Sequence, residues 1–247
     1  MYGFGAGIFF VGYFLFEVPS NLIMARVGAR AWIARIMITW GVISAAMMFV
    51  RGPLSFYALR FLLGLAEAGF FPGMILYLTY WFPGRERAGA ISLFMTAVAL
   101  AGVVGGPVSG ALLTLTGAGG LAGWQWLFLL EGIPSVLLGI VVLVYLPNGP
   151  ADAEWLTPEE REFLIARVHA DAVRLKPDTT LAPDAAKTGD DSTVGAALTS
   201  GRVWLFGVTY FCIVSALYGI TFWMPTILKG LSRISEDRKS TRLNSSH

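Results

Sequence analysis

Six long apolar stretches organise the chain, at residues 3–25, 32–50, 54–82, 88–117, 124–147 and 203–228. Each reaches or approaches the ~20 residues a helix needs to cross the hydrocarbon core of a bilayer. Charge or Gly/Pro/Asn punctuation bounds them. Arg26 to Arg30 closes the first, and Arg51-Gly52-Pro53 separates the second from the third. Pro83 to Arg87 closes the third, Gly117 to Gly123 is an uncharged turn, and Pro147 to Pro150 closes the fifth. The runs are continuous where a membrane barrel would alternate, so they predict helices. The predicted fold class is an all-α membrane protein.

The polar insert at 148–202 breaks this pattern. Thr157-Pro158-Glu159-Glu160 has the form of a capping box, with a threonine N-cap, proline at the first helical position and glutamate at N3. Leu164, Val168 and Leu175 then fall near one face of the following helix, which is expected to lie against the membrane or the bundle floor. Residues 176–200 are rich in Pro, Asp, Thr, Ala and Gly, the composition of a flexible linker. His169 has no second histidine nearby and reads as solvated. The predicted segments are 1–147, a helical bundle; 148–202, a linker with an amphipathic helix; 203–236, a further spanning helix; and 237–247, a tail. That tail, DRKSTRLNSSH, resembles the translation of a sequencing adapter. It is expected to be an assembly artefact, with the natural protein continuing beyond about Glu236.

Composition agrees with the pattern. Hydrophobic residues make up 55% of the 247 and charged residues only 14%, where soluble domains carry about 25%. This excludes a disordered chain and argues against a water-soluble enzyme. The single cysteine, Cys212, excludes an internal disulfide or a zinc ribbon. No phosphate loop, metal-ligand spacing or nucleophile–base arrangement is present, so no cofactor, no metal site and no catalytic residue is expected.

Charge position matters more than the net charge of +2. Residues 1–147 carry 11 charged groups, 148–202 carry 16 and 203–247 carry 7. The turns on one side hold Arg26, Arg30, Arg85 and Arg87, and the insert on that side adds Arg161, Arg167, Arg174, Lys176, Lys187 and Arg202. The other side holds Arg51, Lys229 and Arg233. The positive-inside rule makes the first side cytoplasmic. The basic balance is thus a topology signal, and no nucleic-acid partner is expected. The first span then runs inward from an outside Met1, and no cleavable signal precedes it. Either an upstream span is absent from this chain or the N-terminus is genuinely outside.

Ionisable residues inside spans are functional candidates. Arg60 and Glu67 share the third span and, seven residues apart, project from one helix face ~10 Å apart along the axis. Arginine can hold a carboxylate by paired hydrogen bonds, and a carboxylate withdrawn from water is suited to exchanging a proton. Together they suit an organic anion with a coupled proton. The competing reading is a structural pair, or an arginine snorkelling from near the span end. Glu17, followed by Pro19 and Asn21, reads as a gating or packing carboxylate. Arg35 is expected to snorkel, and Glu131 to bond between helices. Gly102, Gly106 and Gly110 form a small-residue stripe for helix packing, with Pro107 allowing a bend. Tyr77, Tyr80, Trp81, Trp124 and Trp126 read as interfacial anchors. Tyr218 and Trp223 in the sixth span suit either a substrate cavity or lipid and packing contacts.

These residues also carry a resemblance. RFLLGLAEAGFFPGMILYLTYWFP, from Arg60 to Pro83, resembles the fourth helix of the major facilitator superfamily, and more narrowly of its anion:cation symporters for sugar acids and aromatic acids. FFVGYFLFEVPSNLIMARVGARAWIARIM resembles the second helix and the loop after it. GVVGGPVSG is similar to the fifth helix, GWQWLFLLEGIPS to the sixth and YGITFWMPTIL to the seventh. Within the loop motif, Arg26, Gly28 and Arg30 fit. Asn21 stands where glycine is usual and Ala25 where an aspartate is usual, which puts the gate-locking salt bridge of that aspartate in doubt here.

The resemblance implies a twelve-helix fold of two six-helix halves joined by a cytoplasmic loop, working by alternating access. It makes this chain helices two to seven: 1–147 the first half without its first helix, and 203–236 the first helix of the second half. It assigns Arg60 to substrate and Glu67 to proton coupling, and Tyr218 and Trp223 stand beside them as substrate-binding candidates from the residue reading. The implied partners are a small organic anion, a proton and the inner-membrane bilayer, and the full-length protein would be monomeric. An efflux antiporter of the same superfamily and a non-transporting membrane sensor or scaffold are the alternatives.

Overall fold

A computed structural model describes residues 2–174 and 199–244 of the chain. The chain divides into two compact units, Met1–Pro177 and Asp178–His247. In the first unit the helices are α1 (Tyr2–Val27), α2 (Ala29–Ala46), α3 (Pro53–Glu67), α4 (Phe70–Trp81), α5 (Gly84–Leu113), α6 (Gly123–Tyr145) and α7 (Pro158–Arg174). The second unit contains α8 (Gly201–Asn244). No strand occurs among the described residues. Six helical stretches are long and apolar enough to cross a membrane: Gly3–Val27, Ala29–Phe49, Pro53–Trp81, Gly84–Leu113, Gly123–Tyr145 and Gly201–Ile220. They fall on the six apolar stretches of the sequence. Leu175, most of the Pro/Asp/Thr-rich segment and residues 245–247 lie outside the described residues.

Two close helix pairs build the first unit. α1 runs parallel to α3 and α4, because its contacts climb together: Gly5 meets Phe56, Gly12 meets Phe61, and Ser20 meets Gly69. α2 runs antiparallel to α6, with Ile38 beside Gly139 and Gly41 beside Gly132. Gly41 and Gly132 let the two backbones touch: a Cβ at Gly132 would stand 2.6 Å from the Gly41 carbonyl oxygen. Apolar tails of lipid solvate leucine as well as another helix does, so such contacts, not exclusion of water, hold spanning helices together.

The turns that hold Arg26 and Arg30 and Arg85 and Arg87 gather at one end of this unit, away from Arg51. The α1–α2 turn donates the Arg30 N–H to Asn148 Oδ1 at 3.1 Å, and Tyr77 of α4 donates its hydroxyl to the Pro147 carbonyl at 3.0 Å. A core of Met24, Ala29, Ile33 and Tyr77 fills the space beneath. Tyr77 is therefore buried and bonded inside the bundle, not an interfacial anchor. The capping box at Thr157 forms in both directions, Thr157 N–H to Glu160 Oε2 at 3.0 Å and Glu160 N–H to Thr157 Oγ1 at 3.3 Å. It starts α7, which meets α5 through an Arg167–Glu86 ion pair, while Trp155 in the turn before it stacks on Trp81 of α4.

One expectation needs correcting. The third span is not one continuous helix; it breaks at Ala68–Gly69. The stripe of Gly102, Gly106 and Gly110 meets no neighbour among the described residues, since a Cβ on any of them would have nothing within 4 Å. α5 carries Pro107 without interruption and contributes no buried residue, so that face stands open. Close packing falls instead to glycines of α1, α2, α3 and α6.

Candidate functional site

The site grows from one face of α3. Phe56, Arg60, Gly64 and Glu67 are spaced by four, four and three, so all four point the same way. Gly64 turns that face onto α1: a Cβ there would stand 2.0 Å from the Phe9 carbonyl oxygen. Arg60 sits one turn earlier, half-buried. Its guanidinium carbon lies 5.5 Å from the Phe9 ring centre and 5.9 Å from that of Phe56, a cation between two aromatic faces. Its Nε is shielded and has no hydrogen-bond partner.

Glu67 is the last residue of α3 and is half-buried. Among the described residues the only ion pair is Arg167–Glu86, so Arg60 and Glu67 do not join. Seven residues of helix keep them ~10 Å apart, too far for direct contact. An unpaired guanidinium and a separate carboxylate are left on one face.

The chain turns sharply beyond Glu67. Gly69 adopts a left-handed conformation with φ +84°. It packs on α1, where a Cβ would meet Ser20 Oγ at 2.4 Å. Ser20 is fully buried and its hydroxyl accepts the Trp32 indole N–H at 2.9 Å. Asn21 donates its amide to the Glu17 carbonyl at 2.8 Å, and its Oδ1 is shielded without a partner. Glu17, Ser20 and Asn21 thus occupy the stretch of α1 level with the break.

Elsewhere the residues scatter. Arg35 folds over the Trp32 ring at 4.0 Å, with Nε and Nη2 shielded. Glu131 accepts a 2.7 Å bond from the Ser109 hydroxyl, linking α5 and α6 as expected of an interhelical carboxylate. Arg26 and Arg30 are exposed at the basic end, and Gly28 between them has φ +99°. Tyr218 and Trp223 belong to α8 in the other unit, both with exposed side chains. Among the described residues no cluster of three or more His, Cys, Asp or Glu could hold a metal.

Sequence reasoning missed Phe9, Phe56 and Ser20. Phe56 could have been found, since it lies four residues before Arg60 on the same face.

The Major Facilitator Superfamily model matches residues 1–238. The chain belongs to the major facilitator superfamily. It is 52% identical over 236 residues to an Agrobacterium vitis protein named a tartrate transporter, covering 95% of this chain and 52% of that protein. It is 48% identical to the metabolite transport protein named NicT of Pseudomonas putida, over 92% of this chain and 50% of that one. A quinolone resistance transporter of Acinetobacter baumannii is 43% identical, over 92% and 50%. The chain thus spans about half the length of the curated superfamily relatives it matches. A crystal structure of a bacterial homolog of the human lysosomal transporter Spinster shares the fold, with a TM-score of 0.52 and 22% identity over 64% of this chain and 37% of that one. The superfamily is one of transporters, not enzymes, and this member is a multi-pass membrane protein.

Proposed function

We propose that the intact transporter carries a small organic anion, a sugar acid or an aromatic carboxylate, together with a proton across the cell inner membrane. Arg60 binds the anion and Glu67 carries the proton. The observation behind this is that both stand unpaired on one face of α3, separated by a backbone contact with α1. A guanidinium already paired with Glu67 would have no charge to offer a substrate. The relative named a tartrate transporter supports a carboxylate as cargo.

In this reading residues 1–147 belong to the first half of the transporter, 148–202 to the cytoplasmic linker and 203–236 to the first helix of the second half. Tyr218 and Trp223 line the substrate path from that helix. Arg26, Gly28 and Arg30, with Glu17 and Asn21, shape the cytoplasmic gate. The intact protein acts as a monomer.

The deciding experiment is uptake of labelled tartrate and a panel of other carboxylates into vesicles holding the intact transporter, under an imposed pH gradient. Acid outside should stimulate uptake in the wild type. No gradient-driven uptake of any carboxylate would overturn the symport reading. A second reading, drug efflux by proton antiport, is favoured by the quinolone resistance relative at 43% identity. It predicts gradient-driven extrusion of quinolone with no carboxylate uptake.

A further inference from the structure

Arg60 is held by aromatic faces where an arginine inside a span usually has a polar partner. Phe56 precedes it by four residues on α3. Helix side chains lean toward the N-terminus, so the guanidinium reaches back over that ring, 5.9 Å from its centre. Phe9 supplies the second face from α1 at 5.5 Å. Both lie within the ~6 Å over which a ring attracts a cation. Phe9 is also the residue whose carbonyl faces Gly64, so the close approach of α1 and α3 brings the two rings to one guanidinium.

Each ring is braced in turn. A Cβ on Gly5 would stand 2.2 Å from Phe56 Cε1, so this ring fills the place that a side chain of α1 would otherwise take. Tyr57 lies beside it, ring centres 5.8 Å apart. Phe9 packs against Tyr13, one turn further along α1, at 6.1 Å.

Such a cradle suits a cation that has something else to bind. An aromatic face attracts a guanidinium through its quadrupole and carries no negative charge to neutralise it. Nε is shielded and without a partner, which leaves Nη1 and Nη2 to meet an anion. Fixing a long side chain beforehand also reduces the entropy lost when a ligand arrives.

We propose that Phe9 and Phe56 are positioning residues, which hold the Arg60 guanidinium across the α1–α3 contact in the orientation that receives the substrate anion. This rests on the reading of Arg60 as the anion-binding residue, and the experiment separates the two.

In the intact transporter, Phe9 and Phe56 are each replaced by phenylalanines carrying one, two or three ring fluorines, which keep the shape of the ring and withdraw electrons from its face. Thermal unfolding without substrate reads the cradle itself. The midpoint should fall stepwise with fluorine when Arg60 is present and stay level in Arg60→Met, the coupling that a double-mutant cycle measures between touching groups. Equal falls in both backgrounds overturn the cradle. Binding of labelled tartrate reads the positioning. Its Kd should rise about fivefold with three fluorines on either ring, the worth of one cation–π contact. Phe56→Leu should do the same, whereas Phe56→Tyr, which keeps the face, should not. Binding that is lost in Arg60→Gln but indifferent to fluorine overturns the positioning role and spares the anion reading. Equal tartrate binding in wild type and Arg60→Gln overturns the anion reading and the positioning role with it.

Discussion

Gly64 of α3 and Gly12 of α1 make a two-way backbone contact. A Cβ on Gly64 would stand 2.0 Å from the Phe9 carbonyl oxygen, and one on Gly12 would stand 2.5 Å from that of Phe61. The contact falls between Arg60 and Glu67, so it sets how far each charge stands from α1. Because both obstacles are backbone atoms, no rotamer change relieves a side chain added here.

Gly64→Ala should therefore push α1 and α3 apart. Overpacking of this kind costs ~1–3 kcal/mol. Thermal unfolding in detergent should show a lowered midpoint. Gly105→Ala is the matched control, since its added methyl meets nothing within 4 Å. Alanine is also the better helix former by about 1 kcal/mol. Equal midpoints for the two variants would mean that the seam does not exist.

Gly69→Ala carries two penalties that can be separated. The left-handed φ of +84° costs an L-residue ~1–2 kcal/mol, and the new Cβ would meet Ser20 Oγ at 2.4 Å. Adding Ser20→Gly should remove the collision but not the backbone strain, while also taking the acceptor from the Trp32 indole. The double variant should recover only part of the lost stability. Full recovery would show that the break tolerates a right-handed residue.

Much of this was legible in the sequence. Six apolar runs and the asymmetry of arginine gave the spans and the shared basic end, because length and charge are local properties of the chain. The capping box at Thr157 was legible for the same reason. The break after Glu67 was not, since Ala68-Gly69 looks like any small pair inside an apolar run. It exists because Gly69 meets Ser20 across the bundle, a contact that no local pattern encodes. The glycine stripe of α5 shows the complementary limit, since it meets no neighbour among the described residues. Spacing by four marks a face able to pack closely, but only a partner decides whether it does. Of the site, the helical spacing placed Arg60 and Glu67 on one face, whereas the aromatic cradle of Phe9 needed the fold.

Glu67→Gln in the intact transporter should abolish the response to a pH gradient while exchange of substrate across the membrane persists. Under the proposed symport the proton would enter with the anion, so wild-type uptake should rise as the outside pH falls. The variant, unable to release and regain a proton, should give a flat profile. Wild-type pH dependence in Glu67→Gln would remove Glu67 from the mechanism. Arg60→Lys keeps the charge but loses the planar fork. Loss of one charge-assisted hydrogen bond should raise KM about tenfold. Unchanged KM would move substrate binding elsewhere.

The attachment of α7 can be weighed against its parts. The Glu86–Arg167 pair is half-exposed on both sides, and pairs of that kind contribute little alone. The Trp81–Trp155 stack, with ring centres 5.8 Å apart and planes 9° from parallel, is an aromatic contact worth ~0.5–1.5 kcal/mol. Arg161 ties the helix to its own approach by donating to the Ala153 carbonyl at 2.8 Å. Trp155→Ala should therefore loosen α7 more than Glu86→Gln does. Thr157→Ala, which removes the N-cap, should act between them by costing ~1 kcal/mol of helix stability. Amide hydrogen exchange over residues 158–170 measures all three in one experiment. If Glu86→Gln raised exchange as much as Trp155→Ala, the ion pair and not the stacked indoles would hold the helix in place.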